Sequence, residues 1–379
     1  MPPISILVKP VSGNCNMRCR YCFYADEIKK REVPIYKAMT EETLENIIRK
    51  TMEYADKTCV IGFQGGEPTL AGLSFFKKMI DFEKKYNTKH VKIEHTIQTN
   101  GLKLNEEWVS FFKKNHFLVG LSIDGPAEIH DQNRIDTDGK GTFGRVLKAI
   151  NLLKRHNVEF NILTVVTRQV SRNIHKIYNF YIKNKLEYQQ YIPCLDPLGE
   201  KRGIYQYSLC TEDYLQFITT LFDLWMRDIY DGKFIYIRYF ENLIAMLSGK
   251  PPESCGLSGH CTMQHVIEAD GSIYPCDFYM LDEFCVGNLN IDTIEEIHRN
   301  VLKLGFVHKS YDNTECHSCD WNWICHGGCR RDRQGMNLNS FGRNYYCDAY
   351  QKFFSYAIPQ IRKLLKDLEF PPENKCNNS

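Results

Sequence analysis

Three cysteines near the N-terminus are spaced so that they could hold a metal centre. Cys15, Cys19 and Cys22 follow the pattern C-x3-C-x2-C within the segment NCNMRCRYCFYAD, residues 14–26. A structural zinc site or a complete iron–sulfur cube takes four protein ligands. Either a fourth thiolate comes from elsewhere in the chain, or the fourth position is open to a ligand that is not protein. Open positions are typical of metal sites that carry out chemistry.

Eight further cysteines form a second pattern in the C-terminal part of the chain. They read Cys255, Cys261-x9-Gly271-x4-Cys276, Cys316-x2-Cys319-x5-Cys325-x3-Cys329 and Cys347. Eight thiolates make two four-cysteine sites, and because zinc knuckles need the same ligands, the spacing alone does not exclude zinc. The remaining cysteines follow no pattern and are expected to be buried small hydrophobes, namely Cys59, Cys194, Cys210, Cys285 and Cys376.

The composition is that of a globular chain with an excess of cysteine. The 379 residues predict one large or two moderate domains, and the hydrophobic fraction of 43% is ordinary. A formal net charge of +2 gives no electrostatic reason to expect nucleic acid or an anionic membrane as a partner. No long apolar run predicts a transmembrane helix, and MPPISILVKP lacks the pattern of a secretory signal. We therefore expect a cytoplasmic protein whose excess of cysteine, sixteen in all, reflects metal binding by the patterned residues rather than disulfides.

Strand-like and helix-like segments alternate in the first half of the chain. Strands are predicted at 4–8, 59–63, 91–98, 117–123, 159–166 and 188–193. Helices are predicted from Thr40 as N-cap, near 71–86, 105–115 and 142–156, and at 171–184 with Ser171 as a cap. Six βα units predict a parallel sheet covered by helices. The spacing suits a curved, incomplete barrel and equally an open doubly wound sheet.

The pattern changes after about residue 200. TEDYLQFITTLFDLWMRDIY predicts an amphipathic helix capped by Thr211. VIEADGSIYPC predicts a β-hairpin that turns at Asp270-Gly271. A last helix is expected over 349–368, followed by a frayed tail.

Four loops that carry polar or metal-binding residues directly follow predicted strands. The three-cysteine loop follows the first strand, and GFQGGEPTL follows the second. TNG at 99–101 follows the third, and SIDGP at 122–126 ends the fourth. Since ligands gather at the carboxyl ends of parallel strands, we expect these loops to form one site.

The three-cysteine loop, with an aromatic residue at Tyr21, resembles that of the radical S-adenosylmethionine (SAM) enzymes. The resemblance implies a [4Fe–4S] cluster held by three thiolates, with SAM as the ligand of the fourth iron. GGEP at 65–68 fits the same family, since glycines allow close backbone approach and a carboxylate can accept from the SAM ammonium. The SAM contacts that the resemblance implies are Tyr21, Gly65, Gly66, Glu67, Gln98, Ser122, Arg134 and Leu195.

The second cysteine pattern resembles the SPASM extension of radical SAM enzymes, which carries two auxiliary [4Fe–4S] clusters. By that resemblance auxiliary cluster I takes Cys255, Cys261, Cys276 and Cys329, and auxiliary cluster II takes Cys316, Cys319, Cys325 and Cys347. The fold it implies is a partial (βα)6 barrel over residues 1–235, a SPASM domain over 236–370 and a flexible tail over 371–379.

Over the whole chain the sequence resembles the anaerobic sulfatase-maturating enzymes. CNMRCRYCFY, GFQGGEPTL, SIDGP and ADGSIYPCDFYM carry this resemblance. It implies oxidation of a cysteine or serine side chain in a sulfatase to Cα-formylglycine, with Asp277 as the general base and with Tyr24 and Gln64 near the reacting carbon. It also implies three [4Fe–4S] clusters, SAM, a C/S-x-P-x-R motif in an unfolded or nascent sulfatase, and an external low-potential electron donor such as a flavodoxin or ferredoxin.

Two alternative functions remain open at this point. Other SPASM enzymes form thioether crosslinks or tailor a cofactor precursor in peptides, and many carry a leader-peptide-binding domain before the barrel. The first strand here is predicted from residue 4, which leaves no room for such a domain at the N-terminus. A non-catalytic iron–sulfur or zinc protein is the alternative of a different class, and it would leave the GGEP loop and the three-cysteine motif unexplained.

Overall fold

A computed structural model of the protein describes residues 3–307, 314–336 and 341–369. The tail predicted at 371–379 lies outside the described residues. Helices among the described residues are α1 (Phe23–Glu27), α2 (Glu41–Tyr54), α3 (Leu73–Tyr86), α4 (Glu106–Lys114), α5 (Ala127–His130), α6 (Phe143–Arg155), α7 (Arg168–Arg172), α8 (Ile174–Lys183), α9 (Thr211–Tyr230), α10 (Arg238–Leu247), α11 (Ile294–Leu304), α12 (Thr314–His317), α13 (Asn322–Cys325), α14 (Arg330–Arg333) and α15 (Cys347–Glu369). Within this part of the chain, no helix combines the length and the apolar character that crossing a membrane requires.

One sheet runs through the molecule, in the order β10-β9-β8-β1-β2-β3-β4-β5-β6-β7 among the described residues. Its strands are β1 (Ile4–Val8), β2 (Thr58–Phe63), β3 (Lys92–Thr99), β4 (Phe117–Ser122), β5 (Phe160–Val166), β6 (Tyr188–Pro193), β7 (Tyr236–Ile237), β8 (Val266–Ile267), β9 (Ser272–Tyr274) and β10 (Gly287–Asn288). Strands β1 to β6 are parallel and neighbour one another in chain order. A doubly wound sheet would reverse its strand order, so this order selects the partial barrel.

The predicted elements agree with the observed ones because burial and caps follow the sequence. Ile6, Ile61, Val119 and Leu121 are buried in the core that the strands share with the helices. Thr40 caps α2 as predicted, since its hydroxyl accepts a hydrogen bond from the Thr43 N–H.

Two predicted caps are wrong. Ser171 lies inside α7, whose cap is Thr167, and α8 begins after it at Ile174. Thr211 is the first residue of α9, and the Cys210 sulfur caps that helix by accepting from the Asp213 N–H. The Thr211 hydroxyl instead donates to the Tyr345 carbonyl at 2.9 Å, a tertiary contact that local sequence does not reveal.

The five unpatterned cysteines do not share one environment. Cys59 and Cys194 are buried as expected, whereas Cys210 is half-buried and Cys285 is exposed. The prediction is wrong for Cys285 because its segment turns at the surface just before β10. Cys376 lies outside the described residues.

The predicted hairpin joins the C-terminal region to the barrel. Strands β8 and β9 are antiparallel, and Gly271 at their turn has φ 88°, a value that favours glycine. Strand β8 also pairs in parallel with β1, with Val8 opposite Ile267. The residues that follow these two strands, Lys9 and Glu268, therefore emerge at the same rim.

Candidate active site

The three-cysteine loop lies at the barrel rim between β1 and α1. Burial raises the pKa of Cys19 to about 12; the Arg134 charge opposes this, and the Cys22 and Cys15 thiolates add to it. The Cys15 sulfur accepts from the Met17 N–H at 3.4 Å and from the Asn100 amide at 3.8 Å. Buried neighbouring thiols resist ionisation unless a cationic metal centre replaces their protons. The donor set therefore fits a three-thiolate cluster.

The GGEP loop packs directly on the three-cysteine loop. A side chain at Gly66 would overlap the Asn14 carbonyl, and the Glu67 N–H donates to that carbonyl at 2.8 Å. The glycine is required at this position because two backbone segments touch there.

The Glu67 carboxylate accepts four hydrogen bonds from the protein itself. It accepts from the Thr69 N–H and hydroxyl, from the Thr99 hydroxyl at 2.6 Å and from the Asn100 N–H at 2.8 Å. A carboxylate has about four acceptor positions, so little capacity remains for a ligand ammonium. The side chain of Glu67 joins the ends of β2 and β3, and its Oε2, which takes one of these four bonds, is the oxygen with an acceptor position left.

Arg134 and Tyr21 meet at a carboxylate that the sequence reasoning did not single out. Asp124 Oδ2 accepts from the Tyr21 hydroxyl and from Arg134 Nε at 2.9 Å. The guanidinium also lies 5.4 Å from the centre of the Tyr21 ring. Asp124 lies within the quoted SIDGP motif at the end of β4, so its position on the rim was available as a signal.

The other predicted SAM residues lie at the carboxyl ends of three strands. Gln98 is the next-to-last residue of β3, Ser122 ends β4, and Leu195 follows β6. All three are half-buried, so they line the rim without being sealed in the core.

Asp277 and Gln64 are brought together at the junction of the barrel and the C-terminal region. Gln64 Nε2 donates to Asp277 Oδ2 at 2.7 Å, and the Asp277 N–H donates to Gln264 Oε1 at 3.0 Å. The Lys9 ammonium lies 2.5 Å from Asp277 Oδ1, and the Lys9 side chain is fully buried. Sequence reasoning missed Lys9, although its place directly after β1 was a usable signal.

Tyr24 reaches the same junction, but its hydroxyl points away from Asp277. It donates to Glu268 Oε2 at 2.6 Å, and the same oxygen accepts from Arg31 Nη1 at 2.7 Å. The face of the Tyr24 ring lies 4.1 Å from the Lys9 ammonium. Tyr24 therefore presents its ring, and Glu268 is a second buried carboxylate that sequence reasoning missed.

The eight C-terminal cysteines fall into two groups of four. Burial raises the pKa of Cys276, and the nearby Cys329 and Cys255 thiolates raise it further. The pKa of Cys261 is raised in the same way by burial and by Cys255. Cys329 thus lies near residues far from it in sequence, close to Gly256 and interacting with Cys255 and Cys261.

The second group lines one cavity. Burial raises the pKa of Cys325 to about 12, and Cys347, Cys316 and Cys319 add to the effect. All four border the same cavity, and the Gln351 amide reaches Cys347 at 3.7 Å and Cys319 at 3.8 Å. Two groups of four half-buried thiols fit two clusters with complete protein ligation.

Comparison with known proteins agrees with this geometry. Residues 10–181 match the radical SAM superfamily, and residues 258–320 match the SPASM iron–sulfur cluster-binding domain. A solved structure described as native anSMEcpe with bound AdoMet and Cp18Cys peptide superposes with a TM-score of 0.92 at 43% identity, covering 97% of this chain and 100% of that one. The chain is thus a radical SAM enzyme whose cofactors are SAM and three [4Fe–4S] clusters.

Two curated relatives define the family more closely. The cysteine-type anaerobic sulfatase-maturating enzyme of Clostridium novyi (strain NT) is 43% identical over 371 residues, 98% of this chain and 99% of that protein. The serine-type enzyme of Bacteroides thetaiotaomicron is 32% identical over 384 residues, 97% of this chain and 92% of that protein. Near-complete coverage in both comparisons includes both cysteine patterns and the segment after β9 that carries Asp277. This chain therefore belongs to the family of anaerobic sulfatase-maturating enzymes.

Proposed function

We propose that the protein oxidises a side chain of a sulfatase polypeptide to Cα-formylglycine and that cysteine is its preferred target. Identity of 43% to the cysteine-type relative against 32% to the serine-type relative supports the preference. The observation that carries the proposal is the Asp277 carboxylate. It is held by Gln64 after β2 and by Lys9 after β1, at the junction of the barrel and the C-terminal region.

The grouping of the thiols supports the ligand sets that we propose. Cys15, Cys19 and Cys22 would hold the cluster that binds SAM. The two auxiliary clusters would take the complete cysteine sets Cys255, Cys261, Cys276, Cys329 and Cys316, Cys319, Cys325, Cys347. When bound, the clusters and SAM supply a 5′-deoxyadenosyl radical that removes a hydrogen atom from Cβ, and they take up the electron left behind.

Asp277 is the general base in this proposal. Its Oδ2 accepts from Gln64 Nε2, and its Oδ1 lies 2.5 Å from the Lys9 ammonium. Each carboxylate oxygen has a second acceptor position, and in this proposal that of Oδ1 takes the proton of the substrate thiol. Loss of one hydrogen atom, one electron and one proton leaves a thioaldehyde, which water converts to the aldehyde with release of hydrogen sulfide.

The remaining groups bind and orient. Arg134, fixed by Asp124 and Tyr21, would face the SAM carboxylate, and the backbone of Gly65, Gly66 and Glu67 would face its ammonium. Gln98, Ser122 and Leu195 would line the rest of that pocket. Tyr24 would act as an apolar wall with its hydroxyl held by Glu268.

We also propose the context in which the enzyme works. The substrate would be a C/S-x-P-x-R segment of an unfolded or nascent sulfatase, and a flavodoxin or ferredoxin would deliver the reducing electron. So many thiol ligands require a reducing compartment, which supports a cytoplasmic location. Residues 1–235 would form the barrel and 236–370 the SPASM domain, although β7 and β8 extend the barrel sheet.

An anaerobic assay with two peptides tests the proposal. The reconstituted, reduced protein is mixed with SAM and a peptide bearing C-x-P-x-R, or the same peptide with serine, and aldehyde and 5′-deoxyadenosine are followed by mass spectrometry. We expect one deoxyadenosine per aldehyde and a higher rate with cysteine. Deoxyadenosine without aldehyde would contradict the assigned substrate, and equal rates would contradict the cysteine preference.

Asp277→Asn tests the base. The variant is expected to keep its iron and its SAM cleavage while aldehyde formation falls about 10²–10⁴-fold. Asp282→Asn, at an exposed position on the same segment, is the matched control and is expected to behave as wild type. Aldehyde formation by Asp277→Asn at close to the wild-type rate would refute the base assignment.

A further inference from the structure

Lys9 is the most deeply buried cation at the candidate site. It directly follows β1, and its side chain has no solvent exposure. A buried ammonium is costly unless an anion compensates it, and the Asp277 carboxylate at 2.5 Å supplies that charge. The two residues are 268 positions apart in the sequence, and the pairing of β1 with β8 brings them together.

The lysine side chain is confined on two sides. A Cβ atom at Gly65 would lie 2.8 Å from the Cγ and Cδ atoms of Lys9, so the chain runs directly over this glycine. On the other side the ammonium rests 4.1 Å from the centre of the Tyr24 ring, within the range of a cation–π contact. Tyr24 is itself fixed by its hydrogen bond to Glu268. Lys9 is thereby held in one position.

The contacts of Asp277 are divided between its two oxygens. Oδ2 accepts from Gln64, and the backbone N–H is tied to Gln264. Oδ1 faces the Lys9 ammonium at 2.5 Å, the distance of a direct ion pair. Lys9 thus fixes the direction of Oδ1 and leaves one of its two lone pairs for a further partner.

We propose that Lys9 is a positioning residue for the oxidation, holding Oδ1 of Asp277 toward the substrate thiol. The inference rests on the proposed function, because it requires Asp277 to be the base. Gln64 and Lys9 together set the plane and the direction of the carboxylate. Without Lys9 the carboxylate keeps one anchor and can rotate, and misplacing a reacting group by about 1 Å can cost roughly 10²-fold in rate.

Lys9→Met tests the proposal, because methionine keeps an unbranched chain of similar length over Gly65. We expect SAM cleavage and peptide KM to stay near wild type, while aldehyde formed per deoxyadenosine falls about 10²-fold. Lys233→Met is the matched control, since the Lys233 ammonium also pairs with a buried aspartate, Asp228, at 3.0 Å. Lys233 lies just after the end of α9, far from Asp277 in the sequence. Its aldehyde yield per deoxyadenosine is expected to be unchanged.

A purely structural role for Lys9 predicts a different result. Loss of charge compensation alone would lower stability and cluster content but leave the yield per deoxyadenosine intact, and that outcome would overturn the proposal. If the wild type makes no aldehyde, the proposed function fails. If the wild type makes aldehyde and Lys9→Met forms as much aldehyde per deoxyadenosine as the wild type, only the proposed role of Lys9 fails.

A double variant covers the case in which Lys9→Met does not fold. Lys9→Met with Asp277→Asn removes both charges of the ion pair together, so it is expected to assemble its clusters. If Lys9 acts through Asp277, the double variant matches Asp277→Asn in residual aldehyde formation. A further loss of tenfold or more beyond Asp277→Asn would show an independent role and refute the proposal.

Discussion

The two cysteine regions of this protein are supported in different ways. The three N-terminal thiols come from one short loop that sits on a sheet of long parallel strands and a continuous apolar core. The eight C-terminal thiols are gathered from segments far apart, among two- and three-residue strands and the four-residue helices α12, α13 and α14, and Cys347 begins the long helix α15. Isolated four-residue helices are unstable in water. We therefore expect the barrel to build its site without metal, and the short elements around the C-terminal thiols to depend on metal ligation.

Removing one thiol from the N-terminal loop should separate chemistry from folding. We expect Cys19→Ala to abolish SAM cleavage, because two thiolates no longer hold the cluster. The unfolding midpoint and the far-ultraviolet circular dichroism should stay near wild type, since the strands do not depend on this cluster. Deoxyadenosine assays, iron counts and urea titration check the two halves of the prediction. A variant that loses its helical signal would contradict the view that the barrel is self-supporting.

Removing one thiol from the C-terminal region should, in contrast, lower the stability of that region. Cys329 joins the 255–276 segment to the run that begins at Cys316, and its sulfur also caps α14. Cys329→Ala is expected to cost several kcal/mol of stability in this region and to open it to trypsin. Cys285→Ala, an exposed cysteine between the two groups, is the control and should resist cleavage as wild type does. Equal protease resistance in Cys329→Ala would break the comparison.

The contact between the barrel and the C-terminal region makes the stability of the fold depend on pH. His265 Nδ1 lies 2.9 Å from the Ser5 carbonyl of β1, and its Nε2 lies 2.7 Å from His298 of α11. Burial, with the His298 charge, lowers the pKa of His265 to about 4. The unfolded chain keeps a pKa near 6.5 and so binds the proton first. The free energy of unfolding is therefore highest above about pH 6.5, and it decreases as the pH falls toward 4 because the unfolded chain takes up a proton on this histidine and the folded chain does not.

His265→Asn should remove that dependence. Between pH 7 and pH 5.5 the wild type is expected to lose about 1.4 kcal/mol through this group, and the variant should lose correspondingly less. Asparagine suits the site because His265 has φ 46°, a left-handed conformation that asparagine tolerates. Anaerobic urea titrations at both pH values check the difference, with the exposed His175→Asn as control. An unchanged slope in His265→Asn would exclude His265 as its source.

How far sequence reasoning reached depends on how local each signal is. The bounds of β1 and β6 and the Thr40 cap follow from residues that lie next to each other in the chain. The rim loops followed from the rule that strand ends gather. Lys9 and Glu268 were missed because the groups that they contact come from the other region. Thr211 was misassigned for the same reason, since its partner Tyr345 lies in a distant segment.

The smallest expected effect concerns a residue that touches thiolates without being a ligand. The Gln351 amide reaches Cys319 and Cys347, and hydrogen bonds to cluster thiolates raise the reduction potential. Gln351→Leu is expected to shift the midpoint potential of one auxiliary cluster to a more negative value while leaving iron content unchanged. Gln360→Leu, on the exposed face of the same helix, should leave the potential as it is. Redox titration followed by electron paramagnetic resonance decides between a shift and none.

The parallel pairing of β1 with β8 has a consequence for biosynthesis. Strand β1 is made first, yet its neighbour on one side lies about two-thirds of the way along the chain. Until residues 266–267 leave the ribosome, that edge of β1 has no partner strand, and open apolar edges promote aggregation. Contacts so distant in sequence also form slowly. Yield in the cell should therefore respond to translation speed and to chaperones that cover the first strand.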